Sequence, residues 1–351
     1  MSFLNRKYAD LVPYTPGEQV DDTEFIKLNT NESPFEPAPA VKQAAVTAAV
    51  NLNRYCDTSC QSVIKPLAKH FQVKENQIFL GNGSDEVLAY LFQAFTEDGV
   101  AFPDITYGFY QIYANYYQTP ATIIPLNEDF SIDLTAYDDL TGAVIITNPN
   151  APTGIFLATD ELVAFAQRNP ERLLIVDEAY VDFGAESMTQ FVDQLPNLLV
   201  IGTFSKSRQM AGARLGYAVG NSDLIADLNK LKFSTNPYNI NSMTQAVAAA
   251  VLSEPAYVAE KIQTIIDNRT ETKAALEKLG FEVTDSYGNF LFAKHPNISG
   301  EVLLNQLKAR KIFVRWFNQP RTKDYLRISI GTTEQMAALI TACKDILKEV
   351  A

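Results

Sequence analysis

The sequence predicts an α/β fold, in which a mostly parallel sheet is sandwiched by helices in a large domain and a smaller α/β domain follows. Between Gln77 and Gly220, short runs of Val, Ile and Leu alternate with helical patterns. Uniformly apolar runs of this kind are typical of strands buried on both faces of a parallel sheet. After Ser222 the pattern becomes helical and then alternates short strands with helices, which indicates a second unit. With 351 residues, the chain is long enough for two domains.

The elements of the large domain follow the order of these runs. The chain up to about Phe35 is polar and rich in Pro and Asn, so we expect an extended N-terminal arm. The segment PAPAVKQAAVTAAVNLNRY then begins a helix after its prolines. The runs that predict strands are QIFL, GAVIIT, RLLIV, NLLVIG and RLGYAVG, and amphipathic helices are predicted between them at EVLAYLFQAF and TDELVAFAQR.

The small domain begins with a long helix. An amphipathic stretch from about Tyr257 to Leu279 predicts it. After it, the predicted strands GFEVTD, NFLFAK, KIFVRWF and YLRISIG alternate with the predicted helices GEVLLNQLKAR and EQMAALITACKDILKEV. We therefore predict an arm at residues 1–35, a large domain at 36–250 and a small C-terminal domain at 251–351.

The composition is that of an ordinary globular protein, with 47% apolar and 20% charged residues. The formal net charge of -12 argues against nucleic acid or an anionic membrane as a partner, since their phosphates would be repelled. No apolar run approaches the length of a membrane span, and the opening residues lack the apolar core of a secretory signal. An anionic ligand must therefore be held by a local group of cations and N–H donors.

The three cysteines are too few for a disulfide framework and fit a reducing cytoplasm, which is the location we expect. Cys56 and Cys60 have a ligand-like spacing, but the two histidines, His70 and His295, lie elsewhere in the sequence. We therefore expect free thiols and no metal site. The scarcity of histidine also weighs against Ser-His-Asp or Cys-His catalysis.

Polar motifs follow several predicted strands, at the ends where parallel sheets bind ligands. In GNGSDE, glycines allow close approach of the backbone, and Ser84 and Asp85 can present first-turn N–H groups to an anion. Alone, the segment also fits an ordinary helix N-cap. It is neither a P-loop, which ends in Gly-Lys-Ser/Thr, nor a dinucleotide-binding motif, which needs a third glycine. A nucleotide-binding α/β protein is therefore disfavoured.

Two carboxylates, Asp177 and Glu178, directly follow the apolar run LLIV. A carboxylate at the inner end of a buried strand is costly unless it meets a cation or a protonated heterocycle. Tyr180 could present its hydroxyl to the same ligand. A helix cap or a salt bridge would also explain an isolated Val-Asp-Glu, and the segment TNPNAPTG by itself is typical of a turn.

The most informative segment is TFSKSRQMAGAR, where Lys206 follows the strand NLLVIG. Desolvation at a sheet end penalises the charge of a lysine and makes its amine a nucleophile toward carbonyls. The hydroxyls of Thr203 and Ser205 and the guanidinium of Arg214 could hold a phosphate dianion. A phosphate site, a buried carboxylate, a tyrosine and an amine nucleophile at one sheet edge together describe a site for pyridoxal 5'-phosphate.

With these residues in place, the chain resembles the fold-type I, pyridoxal-phosphate-dependent aminotransferases. Within them it is most similar to the histidinol-phosphate aminotransferase family, which also includes aromatic aminotransferases. The matching motifs follow in the family's order over nearly the whole chain, and they are KLNTNESP, RYCD, GNGSDE, DITYGFY, NAPTG, VDEAYVDF, FSKSRQMAGARLGY, VR and LRISIG. The resemblance implies the fold-type I architecture, a homodimer and pyridoxal 5'-phosphate as cofactor.

The resemblance also implies a role for each matching residue. Lys206 would form an imine with the cofactor, Asp177 would pair with its ring nitrogen, and Tyr180 would hydrogen-bond its ring oxygen. Tyr107 would stack on the ring. The residues around the cofactor phosphate would be Ser84, Asp85, Thr203, Ser205 and Arg214, with Tyr55 contributed by the partner subunit.

The substrate pocket implied by the resemblance involves four residues. Arg315 and Arg327 match family arginines that bind the acidic group of the substrate, although ordinary ion pairing in the small domain is the alternative for both. Tyr14 and Asn29 lie in segments that line the same pocket.

The chain departs from the family pattern at two points. Ala151 stands where the family has the asparagine that bonds the ring oxygen, and either Asn148 or Asn150 could compensate. Cys56 replaces a proline within RYCD, and the tyrosine and aspartate beside it are retained.

The activity implied by the resemblance is a ping-pong transamination of histidine biosynthesis. Histidinol phosphate and 2-oxoglutarate would give imidazole acetol phosphate and glutamate, with Lys206 moving the proton. An aromatic-amino-acid aminotransferase and a pyridoxal-phosphate-dependent phosphoamino-acid decarboxylase stay open, because the substrate-facing residues do not separate them. A non-catalytic regulator with this fold is disfavoured by the acidic charge and by the lack of a DNA-binding module.

Overall fold

Two sheets form the framework of the protein, as seen in a computed structural model that describes residues 3–15, 18 and 24–350. The predicted arm and small domain include positions 1, 2, 16, 17, 19–23 and 351, which lie outside the described residues. The predicted domain limits stay predictions. Among the helices of the described ranges, none is both long enough and apolar enough to span a lipid bilayer.

The larger sheet is mostly parallel, as predicted. Strand β1 (Ile26–Leu28) belongs to the smaller sheet, and the strands of the larger one are β2 (Ile78–Gly81), β3 (Val100–Pro103), β4 (Ala121–Ile124), β5 (Ala143–Thr147), β6 (Leu174–Asp177), β7 (Leu198–Thr203) and β8 (Gly216–Gly220). Over the described residues the order is β2-β8-β7-β6-β5-β3-β4. Strand β8 runs antiparallel to β2 and β7, and the other neighbouring pairs are parallel.

Helices cover both faces of this sheet because successive side chains of a strand point to opposite faces. On β5, Val144 and Ile146 join one apolar cluster and Ile145 joins another. The helices are α1 (Pro39–Ala49), α2 (Gln61–Phe71), α3 (Gly83–Phe95), α4 (Phe109–Tyr117), α5 (Thr159–Arg168), α6 (Ser222–Thr235) and α7 (Ser242–Leu252). Helices α1, α2, α5 and α7 pack on the first cluster, and α3, α4 and α6 pack on the second.

The smaller sheet joins the first strand of the chain to strands near its end. It adds β9 (Glu282–Val283), β10 (Phe290–Lys294), β11 (Ile312–Trp316) and β12 (Tyr325–Ser329) to β1, in the order β1-β11-β12-β10-β9 in the described chain. Because β1 pairs in parallel with β11, this part of the predicted arm is a strand of the smaller sheet.

Helices α8 (Pro255–Lys278), α9 (Gly300–Ala309) and α10 (Thr333–Val350) accompany the smaller sheet. The prediction of a long helix over about 257–279 is confirmed to within two residues at its start. Leu303, Leu307 and Leu339 belong to a third apolar cluster, which also contains the buried strand residues Phe290 and Leu291. Short 3-10 turns complete the described structure at Arg6–Tyr8, Glu75–Gln77, Leu134–Tyr137, Val181–Phe183, Met188–Phe191 and Ala211–Ala213.

Candidate active site

A cavity of about 310 Å³ lies at the edge of the larger sheet where its parallel strands end. The strand directions place the carboxyl ends of β2, β5, β6 and β7 at this edge, together with the amino end of the antiparallel β8. The predicted residues that line the cavity are Ser84, Asp85, Tyr107, Asp177, Tyr180, Thr203, Ser205, Lys206 and Arg214.

Asp177 is the last residue of β6, and its side chain is buried under the cavity. The hydroxyl of Tyr110 donates to Oδ2 at 2.7 Å, and the N–H of Ala179 donates to Oδ1 at 3.2 Å. Burial raises the pKa of Asp177 to about 6, although these two hydrogen bonds and the charge of Lys206 act in the opposite direction. The protein itself therefore compensates the carboxylate charge only in part.

Lys206 lies in the loop after β7, beside the neighbouring strand that carries Asp177. Its Nζ donates to the carbonyl oxygen of Thr30 at 3.3 Å and lies 5.9 Å from the ring centroid of Tyr180. On the next two residues of the loop, Ser207 and Arg208 both bind the carboxylate of Asp182, Arg208 through Nη1 at 2.7 Å. The lysine loop is thereby tied to the loop that follows β6.

An anion cradle is formed where α3 begins. Gly83 has a left-handed φ of 77°, and a Cβ at Gly216 on β8 would collide with the backbone of Ser84, so glycine allows the helix to start this close to the sheet. The first-turn N–H groups of a helix have no intrahelical partner and attract anions. The hydroxyls of Thr203 and Ser205, 2.9 Å apart, face the same cavity.

Asp85 orients two of the predicted cofactor-binding side chains. Its Oδ2 lies 3.0 Å from Nη2 of Arg214, and its Oδ1 accepts from the hydroxyl of Tyr107 at 2.8 Å. Because the carboxylate is occupied in this way, Asp85 is placed to meet an anion through its backbone N–H and not through its side chain. Burial, together with Asp85, raises the pKa of Tyr107.

Tyr180 lines the cavity, and its hydroxyl is hydrogen-bonded to a neighbouring asparagine. The side-chain amide of Asn31 donates to this hydroxyl at 3.0 Å, and both residues are buried. The Tyr180 ring packs edge-on against Phe290 of the smaller sheet, with ring centroids 5.0 Å apart. The tyrosine therefore lies where the two sheets and the segment after β1 meet.

The side chains of the two asparagines that could compensate for Ala151 are already hydrogen-bonded to other residues of the protein. Asn148 exchanges two hydrogen bonds with the backbone of Leu157, each of 2.8 Å. The amide nitrogen of Asn150 donates to the carbonyl of Ile105 at 2.9 Å and to Thr153 at 3.0 Å. Ala151, in contrast, lines the cavity. A role for either asparagine at a cofactor stays a prediction.

Arg315 and Arg327 are register partners on β11 and β12. Both guanidinium carbons lie 5.5 Å from the ring centroid of Phe317. Burial, and then the like charge of Arg315, lowers the pKa of Arg327. Its Nη2 donates to the carbonyl of Asn29 at 3.0 Å, and within the described residues its Nε is buried without a hydrogen-bond partner. An anion bound here would supply that partner.

The remaining predicted residues, Tyr14, Asn29 and Tyr55, do not line the cavity. Tyr14 packs against Phe109 with ring centroids 4.5 Å apart, and Phe109 stacks on Tyr107 at 5.5 Å. Asn29 is buried and donates to the carbonyl of residue 18 at 2.8 Å. Tyr55 is 83% exposed and stacks on Tyr238 at 4.4 Å, so it does not line this chain's own cavity.

Sequence reasoning missed two residues that hold predicted site residues in place, Tyr110 and Asn31. It also missed the cavity-lining residues Thr30, Glu32, Thr147, Ala179, Ala211 and Gly212. Tyr110 belongs to the same DITYGFY motif as Tyr107 and lies in the first turn of α4, so the motif offered a signal for a second tyrosine near the site. Asn31 lies in the same NTNES segment as Asn29 and could have been considered with it. The separation of Asn31 from Tyr180, 149 positions, left no local signal of their contact.

Comparison with known proteins agrees with this geometry. The profile of the family described as "Aminotransferase class I and II" matches residues 23–342. The "Histidinol-phosphate aminotransferase" of Marinomonas sp. (strain MWYL1) is 47% identical over 350 residues, which cover 98% of this chain and 99% of that protein. The protein of the same name from Brachyspira hyodysenteriae (strain ATCC 49526 / WA1) is 42% identical over 351 residues, 99% of each chain.

Solved structures confirm the fold. The crystal structure of the histidinol-phosphate aminotransferase from Clostridium acetobutylicum matches with a TM-score of 0.85 at 24% identity, over 92% of this chain and 99% of that one. The enzyme of the same name from Sinorhizobium meliloti, solved in complex with pyridoxal-5'-phosphate, has a TM-score of 0.84 at 24% identity, over 93% and 92% of the two chains. The architecture is therefore that of the fold-type I enzymes.

Proposed function

We propose, since the chain belongs to the class I and II aminotransferases and within them to the histidinol-phosphate aminotransferase family, that it transfers the amino group of histidinol phosphate to 2-oxoglutarate. The products are imidazole acetol phosphate and glutamate, and the step belongs to histidine biosynthesis. The observation that carries the proposal is the sheet edge where an amine, Lys206, and a buried carboxylate, Asp177, share one cavity with an anion cradle.

Pyridoxal 5'-phosphate is the cofactor, and the residues present fit it. Asp177 is a buried carboxylate with a pKa of about 6, and a protonated ring nitrogen would compensate its charge. The start of α3, with Thr203, Ser205 and Arg214, suits a phosphate dianion. When bound, the cofactor supplies an electron sink for the electron pair left on the substrate carbon that loses its proton.

The chain's own residues bind, orient and move protons. Asp177, itself oriented by Tyr110, would hold a proton at the ring nitrogen of the cofactor. Lys206 would hold the cofactor covalently through its Nζ, and the same nitrogen would act as the base that takes the proton from the amine-bearing carbon of the substrate. Tyr107 covers one side of the cavity, with its hydroxyl anchored on Asp85.

The arginine pair suits both substrates of the proposed reaction. Histidinol phosphate carries a phosphate and no carboxylate, whereas 2-oxoglutarate carries two carboxylates, and guanidinium groups bind both kinds of anion. The partly buried Arg327, with its unpartnered Nε, supports this assignment. Tyr14 would line the same pocket, and its electrostatic interaction with Arg327 supports this role.

We also propose a homodimer in which Tyr55 reaches the cofactor phosphate of the partner subunit. Tyr55 stacks on Tyr238 at the surface and is not among the residues that line its own cavity. Val46, Val50 and Leu52, which precede it, are also more than half exposed. Apolar and aromatic side chains concentrated on one surface segment are typical of a subunit interface.

A cytoplasmic location is part of the proposal. Its support is that Cys56, Cys60 and Cys343 are free thiols. Two of them are buried, and burial raises the pKa of Cys60 to about 11 and that of Cys343 to about 12, so they are poor thiolates.

The experiment that tests the function is a comparison of amino donors. Purified protein loaded with cofactor is assayed for glutamate formation from 2-oxoglutarate with histidinol phosphate, phenylalanine or tyrosine. We expect kcat/KM to be highest for histidinol phosphate, and we expect Lys206→Ala to abolish turnover with every donor. Higher kcat/KM for an aromatic amino acid would establish the aromatic aminotransferase instead, and release of CO2 from a phosphoamino acid without glutamate formation would establish a decarboxylase.

A further inference from the structure

The segment after β1 forms a direct hydrogen bond with the hydroxyl of Tyr180, a residue that lines the cavity. Asn31 is 1% exposed and adopts a left-handed φ of 54°. Its side-chain nitrogen donates to the Tyr180 hydroxyl at 3.0 Å. Its backbone carbonyl accepts from Asn289 at 3.0 Å, so the residue is fixed at both its side chain and its main chain.

Ser329 on β12 determines which way the Asn31 amide points. The backbone N–H of Asn31 donates to the Ser329 hydroxyl oxygen at 2.8 Å, and this hydroxyl lies 2.9 Å from Oδ1 of Asn31. The Ser329 proton needs an acceptor, and Oδ1 provides it. With Oδ1 used by Ser329, the NH2 group of the amide must face Tyr180, as it does.

An amide NH2 group can only donate, which fixes the role of the Tyr180 hydroxyl. A phenol has one proton and can accept from a second donor. Because Asn31 fills the acceptor side, the phenol proton is left to point away from Asn31, and Tyr180 lines the cavity on its other side. The hydroxyl is thus arranged to donate to an electron-rich oxygen of a bound molecule.

Ala151 makes this arrangement more important. It lines the same cavity and belongs to the same apolar cluster as Tyr180, and a methyl group offers no hydrogen bond. The side-chain NH2 groups of the nearby Asn148 and Asn150 already donate to the carbonyl oxygens of Leu157 and Ile105. A ligand oxygen on this side of the cavity therefore depends on Tyr180 for its donor.

We propose that Asn31 is a positioning residue that holds Tyr180 as the hydrogen-bond donor to the anionic ring oxygen of the bound cofactor, in place of an amide at position 151. The inference rests on the cofactor and not on the identity of the amino donor. The other titratable or charged side chains of the cavity lining are Glu32, Asp85, Tyr107, Asp177, Lys206 and Arg214, and Arg327 of β12 also interacts with Tyr180.

The test is a pH titration of the visible absorption of the cofactor-loaded enzyme without substrate. The band changes when the nitrogen shared by Lys206 and the cofactor loses its proton, and a donor to the neighbouring oxygen favours the deprotonated form. Asn31→Asp keeps the shape but replaces the NH2 group by an acceptor, so the Tyr180 proton turns toward it. We expect the midpoint of the titration to rise by about one pH unit.

Two further variants separate positioning from a general disturbance. Ser329→Ala keeps Asn31 but removes the hydrogen bond that orients its amide, so the midpoint of the titration should also rise. This variant provides the test if Asn31→Asp does not fold. Ala151→Asn adds a donor to the cavity, so in the Asn31→Asp background it should bring the midpoint back toward the wild-type value. Tyr180→Phe sets the shift expected for complete loss of the donor.

Two results would overturn the proposal. If Tyr180→Phe shifts the midpoint but Asn31→Asp and Ser329→Ala leave it at the wild-type value, Tyr180 acts independently of Asn31. If Tyr180→Phe leaves the midpoint unchanged as well, the hydroxyl does not donate to the titrating group. Failure of the proposed transamination alone would leave the titration unaffected, so the two conclusions are tested separately.

Discussion

Asp177 at the end of β6, and Glu178 and Asp182 just after it, are three carboxylates with different environments. Asp177 depends on Tyr110 and has a raised pKa, while Glu178 accepts from the Ser187 hydroxyl at 2.5 Å and from the N–H of Met188 at 2.6 Å. Burial would raise the pKa of Asp182, but the nearby Arg208 and Ser207 lower it overall. The sequence identified Asp177 because it ends an apolar run, but the partners of the other two lie elsewhere in the chain and left no local signal.

Glu178 predicts a pH dependence of stability. Burial raises its pKa to about 8, so at pH values between about 4.3 and 8 the folded state keeps a proton that the unfolded state has released. Its contribution is therefore fully present below the unfolded pKa and is lost as pH rises through 8, by about 1.4 kcal/mol per pH unit at most. Glu178→Gln imitates the protonated form, and we expect its free energy of unfolding to fall less steeply between pH 5 and 8.

Urea denaturation of the cofactor-loaded protein at a series of pH values measures this slope. Glu186→Gln is the matched control, because this exposed carboxylate has a pKa lowered by hydrogen bonds with Thr159 and Gln190. Its substitution should not flatten the profile. Parallel profiles for wild type and Glu178→Gln would show that Glu178 is ionised in the folded protein near neutral pH.

At the scale of elements, the antiparallel β8 brings the anion cradle together. Because β8 runs antiparallel to its neighbours, it begins at the sheet edge where they end. Arg214, in the loop before β8, therefore lies at this edge, close to Asp85 at the start of α3. The apolar run RLGYAVG predicted a strand here, but a run of apolar residues carries no information about strand direction. The predicted strands were therefore recovered individually, whereas the order in the sheet and the reversal at β8 came only from the structure.

Gly216 provides a test of the cradle. A Cβ at this position would collide with the backbone at Ser84, so Gly216→Ala must displace the start of α3. Overpacking of this kind costs about 1–3 kcal/mol, and 1.4 kcal/mol corresponds to a tenfold change in affinity. We expect the dissociation constant of pyridoxal 5'-phosphate, measured by absorbance titration of the cofactor-free protein, to rise about tenfold or more.

Gly108→Ala is the control for this substitution. A Cβ there meets no atom within 4 Å, and Gly108 has an ordinary helical φ of -62°. Its affinity should stay close to that of wild type. Equal dissociation constants for the two variants would mean that α3 can shift without loss of the phosphate contacts.

At the scale of the whole molecule, the site is assembled from both sheets. The larger sheet provides Lys206 and Asp177, and Thr30 from the segment after β1 lines the same cavity. Asn31 of that segment and Ser329 of β12 act on the cavity through Tyr180. The sequence placed Lys206 and Asp177 correctly at strand ends. It could not place the arm, because a short polar segment contains no periodicity that indicates which sheet it joins.

The proposed dimer predicts that two inactive variants restore each other. In a hybrid of Lys206→Ala and Tyr55→Ala subunits, one site has both its own lysine and the tyrosine of the other subunit. Random exchange makes half of the dimers hybrid, so we expect about a quarter of wild-type activity in a one-to-one mixture. Each variant carried alone through the same exchange is the control, and a mixture no more active than their average would contradict a shared site.

The pairing of β1 with β11 also protects the smaller sheet from edge-to-edge aggregation. A sheet edge offers free N–H and C=O groups to any strand that approaches, and short edge strands with a charged residue discourage such pairing. Strand β1 has three residues with Lys27 at its centre, whereas β11 behind it has five, Ile312–Trp316, of which the first three are buried and apolar. A chain that began after β1 would expose this longer apolar edge. By covering this edge, the segment that contains β1 should reduce aggregation. The same segment continues to Thr30, which lines the cavity, and to Asn31, which contacts Tyr180.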